Sequence, residues 1–154
     1  LFTKYEVNQS TIKDLKELSV LFNQYRIFYG QESDLKQAYN FLFDRYEHRD
    51  SIIFVVRESG RNIIIGFTQL YPVFSSISME RSLILNDLYV LQEYRKQGIG
   101  QLLLDEAKRY AKQIKAEGLE LSTAIDNEQA QRLYERNGYI KDEKFYHYYL
   151  SAKN

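Results

Sequence analysis

The chain has 154 residues, and its 21 Lys plus Arg balance its 21 Asp plus Glu, so it carries no net charge. That length supports one domain, 1–154, with a core that needs neither disulfides nor metals. The absence of cysteine excludes a disulfide framework, a thiolate metal site and a cysteine nucleophile, and the charge balance argues against a broad nucleic-acid footprint.

No run approaches the roughly 20 apolar residues that a membrane-spanning helix needs. The start, LFTKYEVNQS, lacks the apolar region of a signal peptide. We therefore expect a cytoplasmic chain that works neither on a membrane nor on nucleic acid.

Residues Phe2 to Val7 read as a short opening strand, and Ser10 reads as the N-cap of a helix carrying Ile12, Leu15, Leu18, Leu21 and Phe22 at helical spacing. A second helix is expected from Ser33, with Leu35, Ala38, Tyr39, Leu42, Phe43 and Tyr46 on its apolar face. The period then changes. SIIFVVRE (51–58) and IIIGFTQLY (63–71) read as a hairpin with a four-residue connection. After a loop around Pro72 to Met79, RSLILNDLYV (81–90) is another strand.

A glycine-containing segment follows, then a helix with Ile99, Leu102, Leu103, Ala107, Tyr110, Ala111 and Ile114 on one stripe, ended by Gly118. LELSTAI (119–125) reads as a strand and Asn127 to Arg136 as a short helix stopped by Asn137-Gly138. The tail from Tyr139 through KFYHYYLSA (144–152) reads as one or two closing strands, whose exposed edge invites homodimerisation. This order gives an α/β fold, a mixed sheet flanked by helices.

The segment Arg95-Lys96-Gln97-Gly98-Ile99-Gly100 lies between a strand and a helix. A helix start presents unpaired amides and partial positive charge, and glycines there let a phosphate approach the backbone. Arg95 and Lys96 add mobile positive charge. The same residues also suit an ordinary tight turn. Gln101 and Leu102 after Gly100 rule out the G-K-S/T of a P-loop, and Leu103 occupies the third glycine position of a dinucleotide fingerprint.

VLQEYRKQGIGQLLLDEA (90–107) resembles the coenzyme A signature Q/R-x-x-G-x-G/A of the GNAT superfamily of N-acetyltransferases. The run from Asn127 through Ala130, Leu133, Tyr134 and Gly138 to Tyr139 resembles that superfamily's N-x-x-A-x-x-L-Y-x-x-x-G-F/Y motif. Leu83 to Gly100 is also similar to diamine and thialysine acetyltransferases, which carry an LxDLYV…YRxxGIG run. The resemblance implies a mostly antiparallel sheet of six to seven strands with about four helices, splayed where acetyl-CoA binds.

The resemblance also implies roles. Main-chain groups of Leu88, Tyr89 and Val90 would hold the acetyl carbonyl and pantetheine, and amides from Lys96 through Gln97, Gly98, Ile99 and Gly100 to Gln101 would hold the diphosphate, with Arg95 nearby. Asn127 would bond the pantetheine arm or cap its helix. Tyr134 would protonate the departing thiolate or merely pack its ring. The family's glutamate base falls on Asn86, which cannot take a proton, so Asn86 is expected to order a water while Asp87 or another group accepts it. His147 is a further candidate base, and His48 reads as a solvated helix end. Tyr25, Tyr29, Glu32 and Asp34, around the joint between the first two helices, are expected to receive an ammonium group. The acceptor is then a primary amine of a small molecule, polyamine or amino-acid-like. The alternatives are a catalytically silent acetyl-CoA-binding module and a small interaction domain.

Overall fold

The computed structural model describes residues 4–153. Phe2 and Thr3 of the expected opening strand lie outside them. The elements are β1 (Tyr5–Gln9), α1 (Leu15–Phe28), α2 (Leu35–His48), β2 (Ile52–Glu58), β3 (Ile63–Ser75), β4 (Glu80–Val90), α3 (Ile99–Gln113), β5 (Leu119–Glu120) and α4 (Glu128–Arg136). They divide into two compact units, one ending at Leu121 and one starting at Ser122.

In the first unit the strands form one sheet in the order β1-β2-β3-β4-β5, antiparallel except for the β4–β5 pair. The helical periodicity of α1 buries Leu15, Leu18, Leu21 and Phe22, and that of α2 buries Ala38 and Leu42. These six cover one face of the sheet against Ile53, Val55 and Phe67. α3 covers the opposite face, where Tyr110 meets Phe54 edge-on at 5.5 Å between ring centroids. A Cβ on Gly66 would come within 3.0 Å of Tyr89 O, 3.4 Å of Ile99 Cγ2 and 3.5 Å of Leu103 Cδ1. Glycine is what lets α3 lie this close to β3.

Two irregularities set the faces. Between Val56 and Arg57 the β2–β3 register slips, and there the Ile64 amide donates to Glu17 Oε2 at 2.7 Å. In the β3–β4 pair, Leu70 faces Leu85 but Gln69 faces Asp87, so Asn86 is an extra residue in β4. A bulge of this kind exchanges the sides of the residues that follow it. Leu83 and Leu85 therefore share the α3 face with Leu70, whereas Asp87 and Tyr89 share the α1–α2 face with Gln69 and Phe67.

Several expectations are corrected. Ser10 is not a helix cap: its amide continues the ladder to Ile53 O, and its buried hydroxyl meets Tyr46 Oη at 2.6 Å. The cap falls one residue later, where Thr11 and Asp14 form a reciprocal box around a 3-10 turn that leads into α1. Ile12 consequently stays about half exposed. Pro72 belongs to β3, opposite Leu83, and not to a loop. α3 buries Leu104 and ends well before Gly118, the left-handed residue after it being Lys115 (φ +58°). Gly118 instead gives its carbonyl to the Leu83 amide and the Ser82 hydroxyl.

Among the described residues the sheet has five strands and not six to seven. The strand expected over 119–125 pairs only at Leu119 and Glu120. No strand forms among residues 139–153. There Asp142 Oδ1 accepts the amides of Lys144 (2.9 Å) and Phe145 (3.3 Å), a local turn that competes with extended pairing. In this second unit α4 is capped by Asn127, whose Oδ1 accepts the Ala130 amide at 3.2 Å, and is followed by Gly138 at φ +90°. This start and stop match the sequence expectation.

Candidate active site

The site in the first unit is built at the C-terminal half of β4. β5 pairs with β4 only at Leu83 and Ile84, so beyond Ile84 no strand among the described residues pairs with that edge. Leu91 donates its amide to Ile65 O. By antiparallel alternation Tyr89, opposite Phe67, also directs its main chain into the β3 ladder, while Leu88 and Val90 direct theirs outward. Of the three residues expected to offer main chain, Leu88 and Val90 turn theirs to the unpaired edge, where Val90 O accepts Arg95 Nε. Tyr89 instead offers its ring, 9% exposed, which packs against Tyr25, Phe28 and Phe67.

Asp87 is buried, 5% exposed. Its Oδ2 accepts Gln69 Nε2 at 2.6 Å and its Oδ1 accepts Asn86 Nδ2 at 3.2 Å, and the Tyr25 hydroxyl is a further partner. Burial pushes the carboxyl above its ordinary range, and the bonds from Gln69, Tyr25 and Asn86 hold it down in part. Above Gln69 on the same face, burial pushes the Tyr71 phenol up to about 12, and the nearby Asp87 carboxylate adds to that. A buried carboxyl raised by desolvation and held by three side chains is a candidate for proton transfer.

Asn86, expected to order a water, is the bulge residue and is exposed, its amide committed to Asp87. Gln69 was not anticipated. It is fully buried, and among the described residues its Oε1 lacks a hydrogen-bond partner. The signal was present as a lone amide side chain in the otherwise apolar run IIIGFTQLY, beside Thr68, which donates its hydroxyl to Asp87 O at 2.8 Å.

The proposed acceptor residues separate. Tyr25 faces Asp87, and its ring stands 5.1 Å from the exposed ring of Tyr29. Asp34 uses its carboxylate to cap α2, accepting the Gln37 amide at 3.1 Å, and its own amide is held by Asn23 Oδ1. Glu32 is exposed, and its carbonyl accepts Arg26 Nη1 at 3.4 Å.

After β4 the chain makes a 3-10 turn, Gln92–Tyr94, and enters α3 through Lys96 (φ +61°) and Gly98 (φ +83°). Left-handed residues in such a turn fold the amides into an anion-binding concavity. The α3 start has no side-chain cap, and nothing lies within 4 Å of where a Gly98 Cβ would be. These residues fit a diphosphate held by main chain. Gln97 accepts the Tyr5 hydroxyl through Oε1, which ties the loop to β1.

Arg95 is fixed and not mobile. Its Nε donates to Val90 O at 2.9 Å, and its guanidinium lies 4.8 Å from the Phe28 ring centroid and 5.5 Å from that of Tyr89.

In the second unit Tyr134, on α4, packs edge-on to Tyr139 at 5.8 Å. Burial pushes the Tyr139 phenol up to about 12, with Tyr134 adding to it, and its hydroxyl has no hydrogen-bond partner. His147 is largely exposed and lies 3.3 Å from Asp142 Oδ2. His48 is exposed in the last turn of α2. Neither histidine lies in a buried polar cluster like that of Asp87.

Comparison with known proteins agrees with this geometry. The model of the acetyltransferase (GNAT) family matches residues 15–139. The uncharacterized N-acetyltransferase YhfO of Bacillus subtilis (strain 168) is 48% identical over 146 residues, covering 95% of this chain and 97% of that one. The crystal structure of a probable acetyltransferase superposes with a TM-score of 0.92 at 38% identity, covering 97% of this chain and 99% of that one. An aminoglycoside acetyltransferase from an uncultured soil metagenomic sample, solved with sisomicin, shares the fold at a TM-score of 0.81 and 17% identity, with 97% of each chain covered. Among the described residues no helix is long and apolar enough to cross a membrane. The chain belongs to the GNAT family of acetyltransferases and is an N-acetyltransferase, of a family whose acetyl donor is acetyl-CoA.

Proposed function

We infer that this enzyme transfers the acetyl group of acetyl-CoA to a primary amine of a small molecule by direct attack within a complex of both. The observation that carries this reading is Asp87, a buried carboxyl of raised pKa beside the unpaired β4 edge. Acetyl-CoA supplies a thioester whose C–S bond breaks as the C–N bond to the amine forms. The outward main chain of Leu88 and Val90 orients the acetyl and pantetheine groups, and an amide aimed at the carbonyl oxygen stabilises charge developing there. Amides from Lys96 to Gln101 hold the diphosphate, and Asn127 supports the pantetheine arm. Asp87 accepts the proton of the arriving ammonium, Tyr25, Gln69 and Asn86 keep its carboxylate in place, and Tyr134 returns a proton to the leaving thiolate.

The aromatic wall of Tyr25 and Tyr29 supports a small organic amine, polyamine or amino-acid-like, with Glu32 at its rim. A cytoplasmic homodimer is part of this reading. The exposed run Phe145, Tyr146, Tyr148, Tyr149 and Leu150 supports self-association. The test is a calorimetric titration with acetyl-CoA followed by thiol release over an amine panel. Binding with amine-dependent release is expected. Folded protein that does not bind acetyl-CoA would overturn the reading.

A further inference from the structure

The Arg95 side chain turns from the phosphate loop toward the end of α1. The loop's amides lead into α3, which covers one face of the sheet. The guanidinium lies against both Phe28, the last residue of α1, and Tyr89, which points to the α1–α2 face. Only Nε has a protein partner, Val90 O; among the described residues neither Nη group is hydrogen-bonded. Stacking on two rings and one fixed N–H pre-orient the planar fork, so its free edge is presented with little further loss of side-chain freedom. Phe28 is 58% exposed and Tyr29 57%, so this is the open mouth of the acceptor wall.

Asp87 and Tyr89 project from the same face two residues apart, on the order of 7 Å along the strand. The guanidinium lies over Tyr89, and Arg95 is not among the groups that act on the Asp87 carboxyl. A buried carboxyl and a pre-oriented fork are thus linked through two rings: the Tyr25 hydroxyl partners Asp87, the Tyr25 and Tyr89 ring centroids stand 5.7 Å apart, and the guanidinium lies over Tyr89. The other charged side chains near this mouth, Arg26, Glu32 and Lys96, come from the end of α1, the α1–α2 joint and the loop itself.

We propose that Arg95 is a specificity-determining residue of the acceptor site, selecting primary amines that carry a carboxylate. The amine goes toward Asp87 and the carboxylate pairs with the two Nη groups. This deepens the acetyltransferase reading and rests on it. A carboxylate held by a fork is favoured through charge-assisted, paired hydrogen bonds.

The test is binding to enzyme saturated with coenzyme A, followed by calorimetry so that no turnover is needed. The probes are ω-amino acids of increasing chain length, each matched with the n-alkylamine lacking the carboxylate. At least one amino acid is expected to bind roughly tenfold or more tightly than its alkylamine, and Arg95→Met, measured at coenzyme A concentrations that saturate the variant, to bring the pair within about twofold. Equal binding within every pair on the wild-type protein would overturn the proposal without any variant. An Arg95→Met protein that loses coenzyme A affinity and keeps the amine preference would also overturn it, placing Arg95 on the donor phosphates. Failure of coenzyme A itself to bind would count against the acetyltransferase reading instead. Circular dichroism melting and Arg95→Lys, which keeps charge without the fork, separate lost recognition from lost fold.

Discussion

Replacing Asp87 with asparagine removes the proton acceptor while nearly preserving shape. Gln69 can accommodate the change by turning its amide, since its Oε1 now lacks a partner and would accept the new N–H. Positioned general bases contribute about 10²- to 10⁴-fold, so Asp87→Asn is expected to lower kcat/KM by at least about a hundredfold near neutral pH. The assay is thiol release from acetyl-CoA against pH. In the wild type the acid limb of kcat/KM follows ionisation of Asp87 and lies above the ordinary carboxylate range, because burial raises that group. In the variant the limb is expected to vanish.

Stability gives an independent reading with its own sign. The folded carboxyl has a raised pKa, so its stabilising contribution is complete below the unfolded value near 3.9 and is lost as pH rises through the folded value. Each unit of displacement costs the folded state about 1.4 kcal/mol above that window. Asp87→Asn should therefore melt no lower than the wild type at pH 8. Activity within about threefold of wild type, with the acid limb still in place, would refute Asp87 as the base.

Four other expectations follow from the same geometry. Tyr25→Phe keeps the ring but removes a bond that lowers the Asp87 pKa, so the acid limb of the rate profile should move to higher pH. Tyr134→Phe should lower kcat by about tenfold or more while acetyl-CoA affinity by calorimetry stays nearly intact, and unchanged turnover would remove Tyr134 as the acid. Gly98→Val places a β-branched residue at φ +83° and fills the open concavity, so acetyl-CoA binding should be abolished in a protein still folded by circular dichroism. Gly66→Ala forces a Cβ to 3.0 Å from Tyr89 O and should destabilise by about 1–3 kcal/mol in denaturant unfolding.

The backbone of the glycine loop and the cap of α4 were legible in the sequence because both depend on short runs of adjacent residues. Gly98 at a left-handed helix start and Asn127 capping α4 follow from local backbone rules that need no tertiary information. The base was harder. Counting along Leu85-Asn86-Asp87-Leu88 cannot show that Asn86 bulges out, and a family position then matches the bulge residue instead of the buried one. The destination of Arg95 was equally hidden, since a loop residue can turn its side chain to either face of the sheet. The tail failed for another reason. Phe145 to Leu150 is rich in strand-forming residue types but lacks an apolar-polar alternation that would mark a half-buried strand, and the Asp142 turn fixes part of its backbone locally.

The extra residue in β4 gives the strand two phases along one chain. Before it, odd-numbered leucines build the hydrophobic layer under α3. After it, odd-numbered residues supply the carboxyl and the ring of the acceptor cleft. Deleting Asn86 would remove one bond to Asp87 and also put the second half out of phase, sending Asp87 under α3 and turning Leu88 and Val90 to the α1–α2 face. An insertion that looks like an interruption of the sheet is thus what allows one strand to pack against α3 in its first half and against the α1–α2 layer in its second.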